Sequence, residues 1–221
     1  MRIVAVADTH LFHDQLAVPD GDVFVHAGDM CRLGDLAELQ LAAAWVASLP
    51  HRHKVIVAGN HDWAFAREPG AARAMFPGMH YLQDAEVAID GLRFYGAPWQ
   101  PAYNDWAFNL PRGKALAAAW AKIPPGIDVL VTHGPPDGIG DRSGISRRAG
   151  CADLRRRVAK VEPRLHLFGH IHQDGGAWQL GATTFANVTT WECERAPTVF
   201  DVERGTITPV AVPPHGRRDD D

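Results

Sequence analysis

The sequence predicts an α/β fold built as a two-sheet sandwich flanked by helices. Two observations carry that expectation. Short apolar runs of strand type alternate with segments of helical periodicity along most of the chain, and the C-terminal part is rich in strand patterns. The third consideration is size. At 221 residues, 46% hydrophobic and 22% charged, the chain can bury one sizeable core and is short for two. One domain is therefore expected over 1–214, with 215–221 too polar to pack and read as a loose tail.

Taken in order, 3–7 is an apolar run ending at Asp8, and 23–27 is a second ending at Gly28-Asp29. Asp35, followed three residues later by Glu38, reads as a capping-box start. Leu36, Leu39, Ala43 and Val46 then recur at helical spacing until Pro50, so this helix is expected to cover one sheet face. Residues 55–58 form the next strand and deliver Gly59-Asn60-His61-Asp62, where glycine lets the backbone turn tightly. Residues 92–95 read as a strand, and 113–122 as an alanine-rich helix closed by Pro124-Pro125. Strands at 129–132 and 165–168 repeat the device before His133-Gly134 and Gly169-His170. Between them, Leu154, Val158 and Val161 mark the buried stripe of a helix that stops before Pro163. After His172 the chain turns at Gly175-Gly176, and 183–190, 198–202 and 206–212 read as closing strands.

The strand ends carry the chemistry. Five motifs, Asp8-Thr9-His10, Gly28-Asp29, Gly59-Asn60-His61-Asp62, His133-Gly134 and Gly169-His170-Ile171-His172, each follow an apolar run. Asp8, His10, Asp29, Asn60, His133, His170 and His172 mix oxygen and nitrogen donors with no thiolate, a set suited to Mn²⁺, Fe, Zn²⁺ or Mg²⁺. A lone buried histidine is more often a hydrogen-bonded core residue than a ligand. Seven compatible donors at strand ends tip that balance, and they suffice for two ions.

Two dications about 3.5–4 Å apart repel, so an anionic oxygen must sit between them, and Asp29 is the best candidate bridge. Within Asp8-x-His10 and His170-x-His172 the two-residue spacing puts both side chains on one side of extended backbone. Four neutral imidazoles, one amide, two carboxylates, a hydroxide and two dications sum to roughly +1, which favours an anion such as a phosphate ester. The chain therefore reads as a dinuclear metal hydrolase, with manganese the expected metal.

The order of these motifs resembles the calcineurin-like metallophosphoesterases over roughly residues 2–190. The stretches Gly96-Ala97-Pro98-Trp99, Asn104-Asp105-Trp106-Ala107-Phe108-Asn109-Leu110-Pro111-Arg112-Gly113 and Thr132-His133-Gly134-Pro135-Pro136 are similar to the metallophosphoesterase-domain-containing branch. The resemblance implies a four-layer αββα sandwich of two mixed sheets between helices. It implies one metal held by Asp8, His10, Asp29 and His172, and a second by Asp29, Asn60, His133 and His170. It also implies that His61 protonates the leaving oxygen and that Asp62 orients it. Many relatives carry an acidic residue three positions after the Gly-Asp aspartate, where this chain has Arg32. That position is not a metal ligand, so the departure bears on substrate preference.

The expected reaction is hydrolysis of a phosphodiester by in-line attack of a metal-bridging hydroxide, with His61 as acid. Trp63, Trp99, Tyr103, Trp106 and Phe108 cluster in a loop-like region where ring faces could stack a nucleobase, or pack on one another to hold the loop. The expected substrate is accordingly small and nucleotide-like, a cyclic nucleotide included, with Trp63, Trp99, Tyr103 and Arg142 as candidate contacts. Arg147 and Arg148 share the loop of Arg142 and are either phosphate contacts or solvated charges. Alternatives from other classes are a phosphomonoesterase, a nuclease, and a scaffold that keeps metals or nucleotides with little turnover.

Composition narrows the setting. A net charge of −4 offers no general nucleic-acid surface, and Arg155, Arg156 and Arg157 read as the wet face of a helix. No apolar stretch of about 18 residues exists, and Arg2 abuts the first strand, so neither a spanning helix nor a signal peptide is expected. Cys31, Cys151 and Cys193 are odd in number and widely spaced, against a disulfide framework. A cytoplasmic protein is expected. His26 is expected either to alternate away from the neighbours of Asp29 or at most to hydrogen-bond a ligand, and His51, His53, His80 and His166 to be structural or solvent-facing.

Overall fold

Strands Val23–His26, Val129–Thr132 and Leu165–Phe168 are buried at every residue, so each must be covered on both faces. The computed structural model, which describes residues 1–144, 147–203 and 205–214, shows how that is done. The expected tail at 215–221 lies outside the described residues.

In chain order the elements are β1 (Arg2–Val6), β2 (Val23–His26), α1 (Leu36–Ser48), β3 (His53–Ile56), α2 (Trp63–Arg67), α3 (Pro69–Ala74) and β4 (His80–Tyr81). There follow β5 (Ala85–Ile89), β6 (Leu92–Ala97), β7 (Gln100–Pro101), β8 (Asn109–Leu110), α4 (Lys114–Ala121) and β9 (Val129–Thr132). The chain continues with β10 (Arg142–Ser143), β11 (Arg147–Arg148), α5 (Ala152–Val161) and β12 (Leu165–Phe168). It closes with β13 (Gly176–Leu180), β14 (Thr183–Asn187), β15 (Thr198–Glu203) and β16 (Thr206–Ala211).

Two six-stranded mixed sheets result, in the orders β16-β15-β1-β2-β3-β4 and β13-β14-β12-β9-β6-β5. Strands β1 to β4 run parallel, as do β6, β9, β12 and β14, and antiparallel strands close every edge except that of β4. The period of two along each strand sorts the side chains into layers. Ile3, Ala5, Val23, Val25 and Val55 meet Phe94, Val129, Val131, Leu165 and Leu167 between the sheets. Val4, Val6, Phe24 and Ile56 face outward onto Leu39, Ala42, Ala43 and Val46 of α1. Tyr95, Leu130 and Phe168 face the other way, onto Leu116 and Trp120 of α4 and Leu154 and Val158 of α5. The architecture is the expected αββα sandwich.

The helix ends show why the chain turns where it does. Asp35 caps α1 by accepting from the Glu38 backbone N–H at 2.9 Å. Glu38 departs from a simple capping box. Its carboxylate reaches past the cap to accept from the N–H groups of Arg32, Leu33 and Gly34 at 2.8–2.9 Å. α5 ends at Glu162 in the left-handed region, one residue before Pro163. Other differences from expectation are local. The closing strands end at Asn187 and Ala211, and β5, β13, α2 and α3 come from segments without a strong periodic signal. No helix among the described residues is long and apolar enough to cross a membrane.

Candidate metal centre

The five motifs follow the C-terminal ends of β1, β2, β3, β9 and β12, the end where ligands gather in parallel sheets. The two sheets are stitched together there. Ala7 donates to the Val188 carbonyl at 3.0 Å and accepts from Thr190 N–H at 2.9 Å, while His170 N–H donates to the Asp8 carboxylate at 3.0–3.1 Å. Motifs from both sheets thereby meet at one seam. Asp8, His10, Asp29 and His170 all have positive φ, between 42° and 70°, a conformation that non-glycine residues adopt at a cost and keep where surroundings enforce it. Gly28 and Gly59 make room. A Cβ on Gly28 would fall 2.4 Å from His133 Nδ1, and one on Gly59 would fall 2.2 Å from Asp29 Oδ1.

The donor atoms converge in three overlapping groups, each within 4.8 Å: Asp8, His10 and His172; His10, Asp29 and His61; and Asp29, His133 and His170. Asn60 joins the last through Oδ1, 2.9 Å from His133 Nε2. Asp29 belongs to two groups. Its Oδ2 lies 3.2 Å from His133 Nε2 and 3.9 Å from His10 Nε2, the placement a bridging carboxylate needs.

Hydrogen bonding on the far side of the rings tests whether cations fit. The Nδ1–H of His133 donates to the Ala27 carbonyl at 3.0 Å, and that of His10 to the Cys31 carbonyl at 2.9 Å. Each ring therefore aims a lone pair of Nε2 into the cluster. At His133 that lone pair faces two acceptors, Asp29 Oδ2 and Asn60 Oδ1, so a proton or a metal ion must lie among them. Burial alone would lower the His133 pKa, but the hydrogen-bonded Asp29 carboxylate raises it to about 9. Burial opposes ionisation of Asp29 and Asp8 as well. Even so, His133 and His10 hold Asp29 well below the usual carboxylate range, and His172 does the same for Asp8. The residues fit a pair of divalent cations.

Asp62 is placed differently from expectation. Its buried carboxylate accepts from the N–H groups of Asp29, Gly59 and Cys31 at 2.8–2.9 Å, tying together the loops that carry Asp29 and Asn60. Burial and the nearby Asp29 charge push its pKa up to about 6. Among the described residues, the His61 ring is oriented instead by the Arg32 carbonyl, which accepts from Nδ1–H at 2.7 Å. Trp106 packs on the same ring with centroids 4.1 Å apart. Arg32 thus contributes its backbone, while its guanidinium lies 5.3 Å above Phe12. His26 sits behind the cluster, where Nε2–H donates to Thr9 Oγ1 at 3.0 Å and Nδ1 accepts from Gly28 N–H at 3.2 Å. Burial pushes the Cys31 thiol strongly up, so it stays protonated.

The ligands open into a cavity of about 320 Å³, lined also by His61, Tyr103, Trp106, Arg112, Arg147, Arg148 and Gln173. Of the expected substrate contacts only Tyr103 lies on it. Trp63 stacks under Arg67, its ring 4.1 Å from the guanidinium, and Trp99 donates its indole N–H to Asp84 at 2.8 Å on another side of the loop. Arg142 is off the lining and donates its backbone N–H to Asp174 at 2.9 Å. The two tryptophans thus follow the packing alternative, and the exposed Arg142 that of a solvated charge. Arg112, which lines the cavity, was not among the expected contacts, although it ends the same aromatic stretch.

Residues 1–174 match the family model for calcineurin-like phosphoesterase, and the chain belongs to that family. It is 40% identical over 213 residues to metallophosphoesterase domain-containing protein 1 of Homo sapiens, an alignment covering 85% of this chain and 65% of that protein. The Mus musculus protein of the same name matches equally, so the chain spans about two-thirds of the length of these relatives. A Caenorhabditis elegans relative, UPF0046 protein C25E10.12, is 36% identical over 230 residues, covering 91% of this chain and 81% of its own length. Among solved structures, TT1561 of Thermus thermophilus superposes with a TM-score of 0.64 at 15% identity, over 94% of this chain and 97% of that one. The phosphopantetheinyl hydrolase of Mycobacterium tuberculosis gives 0.57 at 14%, over 94% and 95%. These two likenesses speak to the fold.

Proposed function

We propose that the chain is a dinuclear metal-dependent phosphoesterase that hydrolyses a phosphodiester in a small, nucleotide-like substrate, cyclic nucleotides included. The observation that carries this reading is the convergence of Asp8, His10, Asp29, Asn60, His133, His170 and His172 in one cluster that opens beside His61 into a cavity. One ion would be held by Asp8, His10, Asp29 and His172, the other by Asp29, Asn60, His133 and His170, with manganese the expected occupant of both. When bound, the ions supply Lewis acidity that activates water and neutralises charge on the phosphoryl oxygens. His61, with Nδ1–H held by the Arg32 carbonyl, keeps Nε2 for the leaving oxygen, and its proton goes there as the ester bond breaks. Tyr103 and Trp106 offer ring faces to a base.

A partly enclosed cavity of this size and a net charge of −4 suit a small ester better than a polynucleotide. A cytoplasmic setting belongs to the same proposal, supported by three free thiols.

The test is hydrolysis of bis(p-nitrophenyl) phosphate by metal-stripped protein before and after adding Mn²⁺. Turnover restored by metal is expected. Two bound ions with no turnover on any ester would sink the enzyme reading and leave a scaffold.

A further inference from the structure

The cavity carries more positive charge than a single phosphodiester can neutralise. Arg112, Arg147 and Arg148 all line it, beyond the metal ligands. Arg148 is compensated locally, since its Nη1 lies 2.6 Å from Oδ1 of the buried Asp141, itself held by N–H groups of Gly138 and Gly150. Arg112 is not. It donates to the carbonyls of Gly150 and Ala149 at 2.8 and 3.0 Å, which fixes the guanidinium without cancelling its charge. Arg147 lies over the Tyr103 ring at 5.0 Å, which again leaves the charge in place. Among the described residues neither Arg112 nor Arg147 has an ion pair, and Asp29 is the one carboxylate on the cavity lining.

The charge sum sets the requirement. With both ions and a hydroxide the metal ligands total roughly +1, so adding Arg112 and Arg147 brings the cavity to about +3. One phosphodiester supplies a single negative charge. Both arginines are exposed to solvent, which tolerates their charge without a ligand and leaves it available to one that brings more anion than the scissile group. The guanidinia are also preordered, Arg112 by the loop it clamps and Arg147 by the ring beneath it, so an anion meets them at little entropic cost.

We propose that Arg112 and Arg147 form a second anion subsite, so that the substrate is a phosphodiester bearing a further phosphate group. This deepens the phosphoesterase reading and rests on it. Arg147 is the residue to change, because losing Arg112 would also release the 149–150 loop.

Two nitrophenyl substrates sharing one leaving group test it on the Mn²⁺-loaded chain: thymidine 5′-(p-nitrophenyl phosphate) and the same compound with a 3′-phosphate. The added phosphate is expected to lower KM at least tenfold in the wild type. Arg147→Ala should abolish that preference, and Arg147→Lys should keep part of it. Equal KM values in the wild type, or a preference untouched by Arg147→Ala, would overturn the subsite.

Calorimetric titration keeps the test independent of turnover. Thymidine 3′,5′-bisphosphate should bind at least tenfold more tightly than thymidine 5′-monophosphate, and Arg147→Ala should erase the difference. A binding preference without turnover on either substrate would uphold the subsite and sink the catalytic reading alone. Equal affinities would overturn the subsite even if both esters were hydrolysed.

Discussion

Asp29 ties the site together through three separate groups. Oδ2 faces His133 and His10, Oδ1 accepts from the His61 backbone N–H at 2.8 Å, and its own N–H donates to Asp62. Replacing it with alanine removes the bridge, leaving the two dications without an anion between them, so Asp29→Ala is expected to bind one ion or none. Metal analysis still finding two ions per chain would refute the bridge. His61→Ala should keep both metals while losing activity by about 10²- to 10⁴-fold on an alkyl ester and far less on a nitrophenyl ester, whose leaving group needs no proton. Equal loss on the two esters would contradict the acid role. At this scale the candidate ligands were legible because each sits in a short motif at a strand end. The orienter of His61 was not, since a backbone carbonyl at Arg32 has no signature in residue type.

At the scale of elements, α1 shapes the centre without touching it. Its Glu38 holds three successive N–H groups of the loop whose Arg32 carbonyl fixes His61. Glu38→Ala is expected to destabilise the fold by about 1–2 kcal/mol, because water can replace part of what these exposed donors lose. It should also speed amide exchange at Arg32, Leu33 and Gly34. Unchanged exchange there, measured by NMR, would rule out the tether. The capping pattern was readable from Asp35 and Glu38. The extra reach of Glu38 was decided by the path of the 32–34 loop, which lies beyond a local pattern. The aromatic segment shows the same limit, with Tyr103 and Trp106 turned into the cavity and Trp99 out onto Asp84.

Across the whole molecule, the site joins two sheets, so binding there should stabilise the fold. Metal held at 100 times its Kd adds about 2.7 kcal/mol. Chelation is therefore expected to lower the melting temperature by roughly 5–10 °C for a chain of this size. A melting temperature indifferent to chelator and to added Mn²⁺ would mean that the seam binds no ion.

Acid sensitivity has a separate source. His166 donates from Nε2–H to Thr132 Oγ1 at 2.9 Å, while its buried Nδ1 has no partner among the described residues, and burial lowers its pKa to about 3. Between about pH 6.5 and 3 the unfolded chain binds a proton that the folded chain refuses, so stability is lost as pH falls through that window. His166→Gln retains a donor to Thr132 and should lose about 2 kcal/mol less than the wild type between pH 7 and 5, read from urea midpoints. An equal loss in both proteins would place the acid sensitivity elsewhere.

The sequence by itself determined the layer order and the placing of the seven candidate metal ligands at strand ends. Strand runs, helix caps and ligand motifs are local, and each could be read from a few neighbouring residues. Only the tertiary structure decided what surrounds the ligands: Asp62 bracing two loops, Arg32 steering His61, and Arg112 and Arg147 brought onto a cavity that Arg142, Trp63 and Trp99 do not line. Those outcomes depend on how loops far apart in the chain pack over the ends of two sheets. Such packing is set by contacts of long sequence separation, which leave no periodicity and no spacing to read.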